Sequence, residues 1–305
     1  FTPWEHGKVI QFEFQGNQIP FGDLVLEKNG IKYGFEICED AWRGDVRPGY
    51  RLRERKVDLI FNPSASHFAM GKSILREQLV NESSKLFDAT YFYVNLLGNE
   101  AGRMIFDGEI LASKHGKLIL KNELLSFEDF QVLVFDYDKK KEEYPEIKSL
   151  HDKNEEFVKA SALALFDYLR KSKSRGFVLS LSGGADSSTI AVLVSEMVRR
   201  GVEELGITLF LQKSGLSFVP STNNPVKEIT GQLLTTAYQA SDNSSFVTFQ
   251  SAKFLAESIG AEFLHWEITD AQLSSAHRTT DLAAIERRID TLVAEDAGSS
   301  ATTVW

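Results

Sequence analysis

Cysteine is nearly absent from this 305-residue sequence: Cys38 stands alone. One thiol excludes any disulfide within the chain and fits a reducing compartment, the cytoplasm. Positive charge is also in short supply. Asp and Glu number 43 against 34 Lys and Arg, and the resulting net charge of −9 argues against a nucleic-acid surface, which needs a basic footprint. A small anion in a local pocket is still compatible with it. No apolar run is long enough to cross a bilayer, so no membrane partner is expected. There are no internal repeats. An initiator methionine is missing too, and the opening "FTPWEHGKVIQFEFQG" reads as strand and turn from inside a domain, as in a fragment of a longer chain. What remains is a globular composition, 43% hydrophobic and 25% charged, in a length that favours about two domains.

Residues 1–137 are rich in strand patterns. "IKYGFEIC", "VDLIFNPS" and "ATYFYVNLLG" are short runs of β-formers that each end in turn-like residues. "GEILASKHGKLIL" predicts a hairpin turning at His115-Gly116. "GYRLRERK" and "SILREQLVNESSKLFDA" predict helices between the strands, and this alternation suggests an α/β layered domain. Residues 138–152, "DKKKEEYPEIKSLHD", are charged and contain proline, the pattern of a linker. Beyond it, "KNEEFVKASALALFDYLRKS" predicts a helix, "GFVLSLS" a strand, "SSTIAVLVSEMVRRG" a helix ending at Gly201, and "EELGITLFL" a second strand. That order predicts a parallel, Rossmann-like sheet. "NNPVKEITGQLLTTAYQASDNSSFVTFQSAKFLAESIGAEFLHWEI" predicts two helices around a polar loop and then a strand. After Trp266 the texture changes: from Glu267 to Val304 there is no lysine, asparagine, proline or aromatic residue.

The stretch "LSLSGGADSSTIAVLV" breaks an apolar strand with Ser182-Gly183-Gly184-Ala185-Asp186-Ser187-Ser188 before an apolar helix. Glycines let a backbone approach a ligand closely, and a helix N-terminus supplies free N–H groups and partial positive charge. Together they make an anion nest. Ser182, Ser187 and Ser188 offer hydroxyls to phosphate oxygens. Asp186 would repel bare phosphate, which points to a divalent cation, most simply Mg²⁺. A plain strand-to-helix turn capped by Ser or Asp is the structural alternative. No lysine follows the glycines, so this is not a Walker A loop, and Gly71-Lys72-Ser73 lacks the upstream glycine of one because Ser66 stands there. The heptad resembles the pyrophosphate loop of the N-type ATP pyrophosphatases, which split ATP between its α and β phosphates.

Cys38 closes the apolar segment "GFEIC" and is followed by Glu39 and Asp40. A small buried hydrophobe and an exposed nucleophile fit this placement equally. The neighbouring carboxylates would raise a thiol pKa, so activation would need a base and a lysine from elsewhere. "CEDAW" resembles the cysteine motif of nitrilase-type glutaminases, and "NPSASHFAMGK" and "YVNLLGNEAGRMIFDGEI" follow in the order of that family. A nitrilase-type glutaminase joined to a pyrophosphate-loop domain is similar to the glutamine-dependent NAD⁺ synthetase family. "TTAYQASDNSS … SAKFLAESIGA" also resembles its synthetase domain.

The resemblance implies a nitrilase-like α-β-β-α sandwich over residues 1–137, truncated at its start, and a linker over 138–152. It implies a Rossmann-like parallel-sheet ATP pyrophosphatase domain over 153–270, truncated at its end. Residues 271–305 form an atypical tail, read as frameshifted or chimeric, although "DLAAIERRIDTLVA" has helical periodicity. The resemblance makes Cys38 the nucleophile and Glu39, Ser66 and Lys72 the contacts to glutamine. Lys72 then replaces an arginine, keeping the charge but losing the bidentate fork. The general-base glutamate and the lysine of the triad would precede Phe1. Ser182, Gly183, Gly184, Ser187 and Ser188 would bind ATP, Asp186 would face Mg²⁺, and Asp242, Asn243, Ser244 and Ser245 match a loop near the nucleotide. The implied reaction amidates deamido-NAD⁺ with ammonia from glutamine, releasing AMP and pyrophosphate, in a homo-oligomer with an ammonia tunnel. Two other readings stay open: a truncated chain that at most binds nucleotide, and a nitrilase-type amidase with an accessory nucleotide domain.

Overall fold

A computed structural model describes residues 4–99, 104–138, 141, 144, 145, 147, 149, 151–240 and 244–267. The predicted helix in 271–305 and the positions Asp242 and Asn243 lie outside the described residues. The chain divides into two compact units, the first built from 1–97, 106–125 and 130–153, the second from 98–105, 126–129 and 154 onward.

The first unit opens with an antiparallel hairpin, β1 (Val9–Phe14) and β2 (Asn17–Gly22). Its pairing puts Ile10, Phe12, Phe14, Ile19 and Phe21 on one side, all of them exposed, while Gln11, Glu13 and Gln18 take the other. β3 (Leu26–Lys28), β4 (Ile31–Phe35), β5 (Leu59–Ser64) and β6 (Thr90–Asn95) follow. β7 (Leu97–Asn99) and β8 (Ile105–Asp107) are short strands. β9 (Ile110–Lys114) and β10 (Lys117–Lys121) form the predicted hairpin. His115 and Gly116 both take positive φ, 52° and 80°, as a tight two-residue turn requires. Six of these strands form one sheet in the order β10-β9-β6-β5-β4-β3, parallel only between β4, β5 and β6. The two parallel crossovers run through α1 (Pro48–Glu54) and α2 (Lys72–Phe87), where helices were predicted.

The helices cover one face of the sheet. Leu52, Ile60, Val80, Phe87, Tyr91 and Leu111 are buried together there, each contributing roughly 1.5–3 kcal/mol by leaving water. On the sheet's other face, aromatic rings line up across neighbouring strands: Phe35, Phe61 and Phe92 lie 5.1–5.8 Å apart, centroid to centroid. Within the segment predicted as a linker, Ile147 N–H donates to Leu118 O at 2.9 Å.

The second unit carries α3 (Lys153–Ser172), β11 (Phe177–Ser180) and α4 (Ala185–Leu205). Here the structure corrects three expectations. α4 does not stop at Gly201 but runs through it to Leu205, because the missing side chain admits Phe210; a Cβ there would lie 2.4 Å from that ring. "EELGITLFL" is not a strand. Gly206, at φ 75°, ends α4, and α5 (Ile207–Lys213) follows directly. Phe210 is fully buried and stacks on Phe166 of α3 at 5.4 Å, so tertiary packing overrides the β-forming residues. Third, "LTTAYQA" is not helical: α6 (Pro225–Leu233) passes without a loop into β12 (Leu234–Ala240). α7 (Phe246–Ile259) and β13 (Glu262–Glu267) complete the unit. The sheet order is β11-β12-β13, parallel throughout, as predicted in kind, with β12 in the middle.

Candidate functional site

In the first unit, β4 ends at Phe35 and the chain turns into a 3₁₀ helix, Cys38–Trp42. Cys38 sits at its start with φ 48°, in the left-handed region that residues other than glycine avoid. Strain of this kind, of order 1–3 kcal/mol, persists only where the surroundings impose it. Three contacts do so. Asp40 accepts the Ile37 N–H through its carboxylate at 3.0 Å, and its own N–H returns to Ile37 O at 3.0 Å. Asn62, within β5, donates to Cys38 O at 3.4 Å.

Beneath the turn, Glu36 is fully buried and takes four hydrogen bonds. They come from Gly49 N–H at 2.7 Å, Tyr91 Oη at 2.7 Å, and Arg47 Nη2 and Nε at 2.7 and 3.3 Å. Residue 36 precedes the cysteine turn and residues 47 and 49 follow it, so this one carboxylate closes both ends of the loop. Burial and the adjacent Glu36 push the Tyr91 hydroxyl well above its ordinary pKa, so it stays a donor.

Ser66 lies in the loop between β5 and α2, and Lys72 opens α2. The Lys72 ammonium donates to His67 O at 3.0 Å. Its pKa is lowered, first by desolvation and then by neighbouring Arg76, while Asp107 and the Cys38 thiol pull the other way. Glu39 is exposed and pairs with Arg43 at 3.3 Å. Cys38 thus opens the 3₁₀ turn with Glu39 exposed beside it, and Lys72 opens α2.

Sequence reading missed what holds this loop. Arg76 is fully buried, bonds Asp107 at 2.5 Å and Glu109 at 2.9 Å, and donates to Ser66 O at 3.1 Å. Ser73 donates to Glu109 as well. Burial raises the Glu109 pKa, with Asp107 adding to it, and Ser73 and Arg76 oppose the rise. Asp107 and Glu109 do stand in the quoted "FDGEI". Their partner Arg76 is 31 and 33 residues away, so no local pattern announces the pairing.

In the second unit, the glycine loop follows β11. Gly183 has φ 79°, and a Cβ on it would lie 2.4 Å from Thr248 O, in the first turn of α7. Only glycine fits there. The Ser187 hydroxyl lies 3.3 Å from the Ser182 N–H, 3.2 Å from the Ser182 hydroxyl and 3.4 Å from Gly184 O, drawing the loop into a ring. α4 begins without a side-chain cap, and Ser188 N–H makes the first helical bond, to Gly184 O. The N–H groups of Ala185, Asp186 and Ser187 have no helical partner, which leaves them for an anion. Ser188 is half-buried and Asp186 is exposed in the first turn. Among the described residues no group of three His, Cys, Asp or Glu could hold a metal by itself. Asp186 is the carboxylate in the first turn of α4, the group that would hold a Mg²⁺ there. The α7 start is fixed by Ser245, whose side chain accepts Thr248 N–H at 3.2 Å, and by Tyr238 Oη, 2.8 Å from Thr248 Oγ1.

The NAD synthase family model matches residues 157–294, which include the glycine loop and reach into the compositionally distinct end of the chain. The human glutamine-dependent NAD(+) synthetase is 28% identical over 326 aligned residues, covering 89% of this chain and 46% of the relative. That of Synechocystis is 35% identical over 185 residues, 57% of this chain and 33% of the relative. The crystal structure of a glutamine-dependent NAD(+) synthetase from Cytophaga hutchinsonii superposes with a TM-score of 0.75 at 43% identity, covering 96% of this chain and 47% of that one. The chain is therefore similar to the glutamine-dependent NAD(+) synthetases and spans about half the length of the curated relatives that it matches.

Proposed function

We propose that the protein to which this chain belongs amidates deamido-NAD⁺ to NAD⁺, drawing ammonia from glutamine and activating the carboxylate with ATP. One observation carries the reading: a strained thiol at a strand exit and an uncapped glycine-loop helix occur in the same chain. Each alone fits many enzymes. The first suits amide hydrolysis and the second suits cleavage of ATP to pyrophosphate.

In this reading the Cys38 sulfur attacks the side-chain carbonyl of glutamine. A thioester forms, the C–N bond breaks, and the nitrogen leaves with an added proton as ammonia; water then releases glutamate. Glu39 faces the substrate ammonium and Lys72 its α-carboxylate. A desolvated ammonium gains most from such a partner, because an arriving carboxylate restores the interactions that burial removed. In the second unit, the N–H groups at the start of α4 and the hydroxyls of Ser182 and Ser188 hold phosphate oxygens, while Gly183 and Gly184 let them approach. Mg²⁺ held by Asp186 would neutralise phosphate charge. The nicotinate carboxylate attacks the α-phosphorus and pyrophosphate leaves. Ammonia then displaces AMP from the acyl adenylate. The single cysteine supports a cytoplasmic setting, and the family resemblance supports a homo-oligomer.

The test is product analysis with deamido-NAD⁺, ATP, Mg²⁺ and glutamine. NAD⁺, AMP and pyrophosphate are expected in equal amounts. Cys38→Ala should abolish turnover with glutamine and retain it with added ammonia. ADP as product would refute the pyrophosphate-loop assignment, and glutamine-driven turnover by Cys38→Ala would refute the glutaminase assignment.

A further inference from the structure

We propose that Asn95 is a positioning residue for substrate binding beside Cys38, acting through Ser66. The proposal rests on the glutaminase half of the proposed function.

β5 and β6 pair as parallel strands up to Ser64 opposite Asn95, where both end. Two residues further on, Ser66 lies beyond the last β5–β6 pair, and a loop residue there would normally bond to water. Instead the Asn95 side chain continues the ladder. Its Oδ1 accepts the Ser66 N–H at 2.8 Å, and its Nδ2 donates to Ser66 O at 2.8 Å. The second Nδ2 hydrogen goes to Asp107 Oδ1 at 2.7 Å. Reversing the amide would set its nitrogen against the Ser66 N–H and its oxygen against two acceptors, so the orientation is determined. Arg76 adds a third bond to Ser66, through the carbonyl, and closes the triangle by pairing with the other Asp107 oxygen.

Two buried side chains and a buried carboxylate thus hold both backbone groups of one half-exposed serine. The Ser66 hydroxyl makes no hydrogen bond among the described residues. Next to it the Lys72 ammonium holds His67 O. Such an arrangement fixes where the Ser66 hydroxyl lies and leaves it available to a polar amino-acid substrate.

Alkylation of Cys38 by iodoacetamide can be followed by mass spectrometry on the peptide that carries it. The experiment measures the L-glutamine concentration that halves the alkylation rate in wild type, Asn95→Ala, Ser66→Ala and the double variant. Asn95→Ala is expected to raise that concentration about tenfold, the scale of losing a positioned hydrogen bond. Ser66→Ala should match it, and the double variant should add nothing. A merely structural role for Asn95 would instead give additive shifts. Should Asn95→Ala fail to fold, Asn95→Ser carries the comparison: its hydroxyl can serve Asp107 but cannot span to Ser66. Additive shifts, or wild-type protection in the Asn95 variants, would overturn the proposal and leave the glutaminase reading intact. Absence of protection in the wild type would overturn both.

Discussion

Gly183→Ala puts the contact between the glycine loop and α7 to a quantitative test. At φ 79° an alanine pays for left-handed backbone, about 1–2 kcal/mol. Its Cβ would also lie 2.4 Å from the Thr248 carbonyl oxygen and 3.2 Å from the carbonyl carbon. These are backbone atoms in a helix whose start is held by Ser245 and Tyr238, so relief requires moving the helix. Overpacking of this kind costs about 1–3 kcal/mol, for a total of about 2–5 kcal/mol. In a unit of this size each kcal/mol shifts the melting midpoint by roughly 2–4 °C, so a loss of at least about 4 °C is expected. Gly184→Ala is the control. Gly184 has φ −83°, and the nearest atom to a Cβ there is the Ser182 hydroxyl at 3.3 Å, so its cost should stay below about 1 kcal/mol. Calorimetry of both variants, with ATP affinity measured alongside, decides the matter. Equal midpoints for the two would refute the claim that the loop is wedged against α7.

Asp23 provides a pH test in the first unit. Burial works against its ionisation, but the Gly7 N–H and the guanidinium groups of Arg55 and Arg51 prevail and hold its pKa below the ordinary value. A depressed carboxylate stabilises the fold above its unfolded pKa, about 3.9, and loses that contribution as pH falls through the folded value. The urea midpoint should therefore drop more steeply below about pH 4 in wild type than in Asp23→Asn, and parallel curves would discount the contact. Arg76→Leu should cost about 3–5 kcal/mol in urea denaturation, because it strands Asp107 and Glu109 without their buried cation. A cost under 1 kcal/mol would show that the network holds little.

The parts legible in the sequence were those with local causes. The β9–β10 hairpin announced itself in His115-Gly116, and the glycine loop in its heptad. β12 escaped because as the middle strand it is buried on both sides from Leu234 to Tyr238, which erases the alternation that reveals a half-exposed strand. α6 also runs into it with no turn residue to mark the change. α5 escaped because Phe210 finds its place against α3, a contact invisible along the chain. The same limit applies at the site. Cys38 could be read from its motif, but its left-handed backbone and the Glu36 and Asn95 anchors depend on residues far apart in sequence.

The β1–β2 hairpin has a consequence for handling the protein in solution. Five large apolar side chains, from Ile10 at 39% exposure to Phe14 at 53%, form one continuous greasy strip on a ribbon whose outer edges pair with no other strand among the described residues. Contiguous apolar surface on an unprotected strand edge drives association. The acidic net charge of the chain gives some colloidal protection, but salt screens it within about 10 Å at 0.1 M ionic strength while leaving the strip's attraction intact. Raising salt should therefore bring this chain out of solution, and a single charge at Phe12 or Phe21 should keep it in.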